Sequence, residues 1–109
     1  MDNWQPISES TLFDLIIESE TIMSSKENRY WEKIRIPPVK WKEQTYGETG
    51  GGFWVVGIIG SEVIWYNDIE DGFNTSKYSS IGIINDYSCN QDELHIVIKQ
   101  LSYYLEKGY

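Results

Sequence analysis

The sequence predicts an α+β domain: a mainly antiparallel sheet of about five strands, with an N-terminal and a C-terminal helix packed on it. Three observations carry this expectation. Apolar stripes at helical spacing lie near the two ends of the chain, and five short apolar or alternating runs lie between them. The breaks between those runs are short enough for hairpin connections. The 109 residues contain no internal repeat, no low-complexity tract and no linker-like stretch, so residues 1–109 read as one domain.

Residues 8–27 read as the first helix. Thr11 is placed to cap it, with Asp14 three residues on. Leu12, Leu15, Ile16, Ile22 and Met23 share one face, with Ser19 filling the gap, and Glu18 and Glu20 lie away from that stripe. A strand is expected at Trp31–Ile36, where side chains alternate. Pro37–Pro38 is expected to end it, because neither nitrogen can donate to a ladder. Val39–Gln44 alternates again, with Val39 and Trp41 opposite Lys40 and Lys42. Tyr46–Gly52 reads as a glycine-rich loop.

Phe53–Ile59 is almost entirely apolar, which suits a central strand buried on both faces. Gly60–Ser61 suits a two-residue hairpin turn, and Glu62–Tyr66 the returning strand. Asn67–Ser76 reads as a polar turn region and Ser80–Asp86 as the last strand. Asn90 and Glu93 form a capping-box-like pattern before the C-terminal helix. Its stripe is Leu94, Val97, Ile98, Leu101 and Leu105, with Lys99 and Lys107 in the later turns that the helix dipole favours for cations. If both helices cover one sheet face, the other face is left partly exposed or used for contact.

The single cysteine, Cys89, permits no internal disulfide, so nothing points to an oxidising compartment. Met1 is followed by Asp2, Asn3 and Trp4 rather than by a basic start and an apolar run, so no signal peptide is expected. The longest apolar stretch, Phe53–Ile59, is too short to span a bilayer. These features make a cytoplasmic protein the expectation, with no membrane partner. Aromatic residues make up 15% of the chain, including five Trp and eight Tyr. A small domain rarely hides that many rings, so some are expected at the surface, where they favour protein contacts.

The net charge of −8 is unevenly spread. Residues 26–42 hold six cations (Lys26, Arg29, Lys33, Arg35, Lys40 and Lys42) against Glu27 and Glu32. That local +4 leaves −12 on the rest of the chain. A largely acidic surface repels nucleic acid and anionic membranes and attracts basic partners. Solubility alone also accounts for acidity.

No chemical motif survives its own context. Gly47-Glu48-Thr49-Gly50-Gly51-Gly52 suggests a phosphate loop, but the glycines lead into a strand and no Gly-Lys-Ser/Thr follows. Asp68-Ile69-Glu70-Asp71-Gly72 suggests a calcium loop, but from Asp68 the glycine is fifth and the twelfth residue is Ser79. A turn in which Asp and Asn bond the local backbone fits better. His95, the only histidine, falls on the polar side of the last helix and no serine or cysteine is tied to it by sequence. Cys89 precedes the expected cap of that helix, where a thiol pKa can fall, although partial burial is the simpler reading. Carboxylates are numerous, and no feature selects one pair for acid–base work. The basic stretch 26–42, interleaved with Trp31 and Trp41, could stack bases of a single strand, or its cations could pair with nearby acids. The chain is thus expected to be a binding protein rather than an enzyme, with no metal and no cofactor.

The densest local signal is Val63 to Asn74, a strand ending in aromatics and turning through an acidic knot. Asp68, Glu70 and Asp71 would form an anionic patch beside aromatic anchors, able to steer and hold a basic protein. In the plainer reading Trp65 and Phe73 pack the core and the acids decorate a turn. Gly72 is expected to adopt a conformation that a side chain would resist. Tyr66, Asn74, Tyr78 and Glu48 complete the candidate contact set.

From Trp31 to Leu101, about two-thirds of the chain, the sequence resembles the small bacterial immunity proteins of contact-dependent inhibition and related polymorphic-toxin systems. The carrying features are Trp31-Glu32-Lys33-Ile34, Pro37-Pro38-Val39-Lys40-Trp41, Gly52-Phe53-Trp54-Val55-Val56, the Trp65–Asn74 run, and Tyr87 through Asn90-Gln91-Asp92-Glu93-Leu94. The resemblance implies a protein that binds the toxin domain made beside it, covering its active site or blocking its target, and brings no catalytic residues. Many such toxins are basic nucleases, and an acidic inhibitor then imitates nucleic acid electrostatically. Two other functions stay open: a small enzyme or ligand-binding domain using the glycine loop and nearby carboxylates, and a single-stranded nucleic-acid binder through residues 26–42, which the acidity of the rest disfavours.

Overall fold

A computed structural model describes residues 5–43 and 51–106, the side chains of residues 105 and 106 aside. Three helices and a five-stranded sheet follow in the order α1 (Glu9–Ile22), α2 (Ser25–Ile34), β1 (Arg35–Glu43), β2 (Phe53–Ile59), β3 (Glu62–Asn67), β4 (Gly72–Lys77), β5 (Ile83–Ile84) and α3 (Leu94–Glu106). The fold is α+β and mainly antiparallel, as the patterning predicts.

The N-terminal half departs most from the sequence expectation. Ser8, not Thr11, caps α1, its Oγ accepting from the Thr11 N–H at 3.2 Å. The helix stops at Ile22 rather than running to residue 27, because Ser24 starts a second one. Ser24 Oγ accepts from the Glu27 N–H, and Glu27 Oε1 accepts from the Ser24 N–H, a reciprocal capping box. That nucleus carries α2 through Trp31 to Ile34, where a strand was expected. Four alternating residues fit either period, and the local cap decides between them. Pro37 and Pro38 do not end β1 either. Between the pairs Arg35↔Gly57 and Val39↔Val55, β1 advances four residues while β2 advances two. The prolines sit in this irregular stretch, where a missing N–H disrupts little of the ladder.

The hairpin at Gly60–Ser61 forms as expected, with Gly60 in the left-handed region at φ 59°. Residues 67–76 are not one turn. Asp68–Asp71 suffices to reverse the chain, and β4 pairs with β3 from Asn67↔Gly72 to Glu62↔Lys77. The expected Ser80–Asp86 strand shrinks to Ile83–Ile84, which runs parallel to β1. The sheet order is β4-β3-β2-β1-β5.

Each sheet face has its own core. One carries Val56, Ile64, Tyr66 and Phe73 beneath Leu12, Ile16, Met23, Trp31, Leu94, Val97 and Ile98 of the helices. The other, expected to be partly exposed or used for contact, gathers Trp41, Phe53, Val55, Val63, Trp65 and Ile84 into a second buried cluster flanked by Tyr78 and Tyr87. The segment after β4 makes this possible by bonding to both β1 and β4. Ile83 and Ile84 pair with β1, whereas on β4 Lys77 O accepts from the Asn85 N–H and the Phe73 N–H donates to Asp92 O. Part of the outer edge of β4 is thereby covered, which protects an edge prone to pairing with other chains.

The start of α3 also differs from expectation. The helix begins at Leu94, four residues after Asn90, which is too far for Asn90 to cap it; the Asn90 N–H is instead held by Asn74 Oδ1 at 2.8 Å. An orphan donor of the first turn is met from another helix instead: the His95 N–H donates to Ser19 Oγ of α1 at 3.1 Å. Among the described residues no helix is long and apolar enough to cross a membrane.

Candidate functional site

The turn between β3 and β4 is held from below. Asn67 is fully buried. Its Oδ1 accepts from the N–H groups of Ile69 (3.0 Å) and Glu70 (3.2 Å), while its Nδ2 donates to Tyr87 Oη and Ser88 O. Asp71 takes the left-handed position at φ 60°, a region that Asp tolerates better than most residues. Gly72 therefore does not supply the unusual backbone angle. It is needed for a close approach: a Cβ there would lie 2.3 Å from Gln91 Cα and 2.4 Å from Asn90 O.

The candidate contact residues separate in space. Asp68 Oδ2 accepts from the Ile7 N–H at 2.8 Å, fastening the lead-in to α1. Glu70 faces Gln91, whose Nε2 lies 3.5 Å from Glu70 Oε1. Asp71 is exposed and accepts the Tyr66 hydroxyl hydrogen bond. Asn74 is buried and clamps residue 90 by both its backbone groups, so it serves the fold rather than a surface. Tyr78 stands against Trp41 and donates to Gly60 O, at the opposite end of β3. Six residues of strand put it roughly 20 Å from the acidic turn. Glu48, with most of the Tyr46–Gly52 loop, lies outside the described residues, as does Lys107.

What the fold assembles around Asp71 is a groove of about 260 Å³. Leu15, Glu18 and Ile22 of α1 form one wall, and Asp92, Glu93 and Leu94 at the start of α3 another. Tyr66 and Phe73, packed edge to face at 4.8 Å, lie between them. Among the described residues, four carboxylates line the groove and no lysine or arginine does. Glu18, Asp92 and Glu93 are not in the contact set read from the sequence, where Glu93 figures only in the expected helix cap. They stand far from Asp71 along the chain, and only the bridge from Phe73 to Asp92 and the packing of α1 on α3 bring them there.

Tyr66 registers this environment. Burial, the carboxylates of Asp71 and Asp68, and its hydrogen bond to Asp71 push its pKa up from 10.0 to about 12. A raised pKa favours the neutral phenol of the folded state. The resulting stability is intact below pH 10 and is lost as pH rises toward 12. In an absorbance titration of phenolate formation, one tyrosine should ionise with this late midpoint, and Tyr66→Phe should remove that step. A Tyr66 that ionises near 10 would contradict the packing.

Several other residues of interest have internal partners. Trp31 is fully buried and Trp41 is 4% exposed, so neither ring is available to stack on a base. Arg35 pairs with Glu20 and lies 5.2 Å over the Trp31 ring, and Lys40 lies 5.0 Å over Trp54. His95 is not a surface residue. Its side chain is 15% exposed, with Nδ1 3.3 Å from Ser19 Oγ and Nε2 3.8 Å from Glu93 Oε1. The last distance is too long for a hydrogen bond. Ser19 accepts the His95 N–H, so these contacts join α1 to α3. Cys89 is exposed rather than partly buried, and four residues separate it from the first residue of α3.

Compared with known proteins, the chain matches no protein-family model, no curated protein and no solved structure.

Proposed function

We propose that the protein is a cytoplasmic bacterial immunity protein that binds and neutralises a cognate toxin domain, a basic nuclease, by covering its active site or excluding its target. The observation that carries this reading is the acidic groove: four carboxylates from three separate parts of the chain, no cation among the described lining residues, and a net charge of −8 behind them. A nuclease surface built to hold phosphates is basic. An acidic face set on a rigid frame steers such a surface into contact and rejects neutral or acidic partners. The sequence resemblance to immunity proteins points the same way.

Co-expression with the toxin domain encoded by the neighbouring gene tests the reading. Growth should be restored, and the purified complex should weaken steeply with added salt. Reversing Asp71 and Glu93 together to lysine should slow association by about tenfold or more, since charge changes of this kind act mainly on encounter. No complex and no protection would end the proposal.

A further inference from the structure

The groove has a shape that restricts what it can hold. Its volume, about 260 Å³, falls below the roughly 300–1,000 Å³ of pockets that enclose a whole small molecule. The accessible apolar part of its lining is on α1, where Leu15 is half-buried and Ile22 is 59% exposed, while Phe73 and Leu94 close it from beneath as buried side chains. Its carboxylates come from three separate parts of the chain: Glu18 from α1, Asp71 from the turn before β4, and Asp92 and Glu93 from the segment leading into α3. Among the described residues no three acidic, histidine or cysteine side chains stand close enough together to hold a metal ion. A compact divalent cation therefore finds no ligand shell here. A longer cation with an apolar stem and several spread donors does find its complement.

We infer that this groove receives a single arginine side chain of a protein partner, its methylene stem on Leu15 and Ile22 and its guanidinium among the carboxylates. The inference deepens the proposed function, on which the partner's identity as a toxin rests. Arginine suits the site better than lysine because its planar head offers five donors to carboxylates on different sides. The long aliphatic stem covers apolar surface while the charge stays at the rim. A second copy of this chain is disfavoured as occupant, because it brings another −8 to the contact.

The test uses N-acetyl-arginine amide as the probe, with the neutral isostere N-acetyl-citrulline amide and N-acetyl-lysine amide beside it, followed by amide chemical shifts of the full chain. The arginine probe should give saturable shifts at Ile22, Tyr66, Phe73 and Leu94, with a millimolar dissociation constant. Lysine should bind several-fold more weakly, and citrulline should give no saturable shift. Glu18→Gln with Asp71→Asn should weaken the arginine probe by about tenfold. Asparagine tolerates the left-handed backbone at residue 71 and still accepts from Tyr66, so this variant should fold. Asp14→Asn with Asp86→Asn removes the same charge from exposed positions outside the groove and should leave binding intact.

Equal shifts with citrulline, unsaturable shifts spread over the acidic surface, or undiminished binding in the Glu18/Asp71 variant would overturn the inference. So would groove signals that move with protein concentration alone, which would make a second copy the occupant. The two readings fail separately. A groove that binds arginine in a protein giving no toxin protection would leave the site and remove the toxin. Full protection with unchanged toxin affinity in the Glu18/Asp71 variant would keep the toxin and remove the groove as its arginine site.

Discussion

Gly72→Ala should lower the unfolding free energy by about 3–5 kcal/mol, a large part of the stability of a domain this size. The added methyl group meets backbone rather than a movable side chain: Gln91 Cα at 2.3 Å, Asn90 O at 2.4 Å and Gln91 C at 2.7 Å. Either β4 or the 90–92 segment must shift. Overpacking alone costs roughly 1–3 kcal/mol. The shift also strains the bonds that fasten this segment, from the Phe73 N–H to Asp92 O at 2.7 Å and between Asn74 and residue 90. Urea unfolding of the variant measures the loss. Gly60→Ala is the internal comparison, since a Cβ there meets nothing within 4 Å and only the left-handed backbone resists, at roughly 1–2 kcal/mol. If the two variants lose equal stability, the close approach at Gly72 is not what holds the segment. Because Asp92 and Glu93 ride on that segment, Gly72→Ala should also weaken arginine binding in the groove.

Trp31→Ala should cost about 4–6 kcal/mol and leave the protein largely unfolded at 37 °C. Trp31 is fully buried at the centre of α2, and its ring approaches Gly57 so closely that a Cβ there would lie 3.2 Å away. Removing it opens a cavity between α2 and β2, worth roughly 3–5 kcal/mol by itself. It also removes the indole N–H that donates to Glu20 Oε2 at 2.9 Å and the ring beneath the Arg35 guanidinium. Trp31→Phe separates the contributions. It keeps much of the volume and a ring for Arg35 but cannot donate to Glu20, so its loss should be about 1–2 kcal/mol. Glu20 is 26% exposed and water can replace part of the missing bond. Thermal and urea unfolding of both variants check the pair. A small effect of the alanine variant would mean that α2 contributes little to the core.

Much of this architecture was legible in the linear pattern. The apolar run Phe53–Ile59, the Gly60–Ser61 turn and the stripe of α3 each carry their period within one element, so neighbours along the chain suffice to read them. The misread segments are those where two periods compete or where a distant partner satisfies polar groups. Trp31–Ile34 alternates like a strand, yet Ser24 and Glu27 cap it into a helix. Asn74, Thr75 and Ser76 look like turn residues because their polar groups seem to need water. In the fold Asn74 binds residue 90, and Ser76 Oγ donates to Asp86 O while accepting from Trp65 Nε1. Buried polar side chains of this kind are tolerated only when fully partnered, and those partners lie ten or more residues away.

The acidic turn that begins the candidate site belongs to the sequence alone: Asp68 to Asp71 stand between two strands, and Asn67 bonds their backbone within three residues. So does the surplus of negative charge, which no folding step alters. The groove belongs to the tertiary structure. Asp68 turns to Ile7 and Glu70 to Gln91, leaving Asp71 to meet Glu18, Asp92 and Glu93 around Tyr66. Local hydrogen bonds set a turn because their partners are chain neighbours. A site built from residues 18, 71 and 92 exists only after Gly72 lets two backbones pass within contact distance and α1 packs against α3.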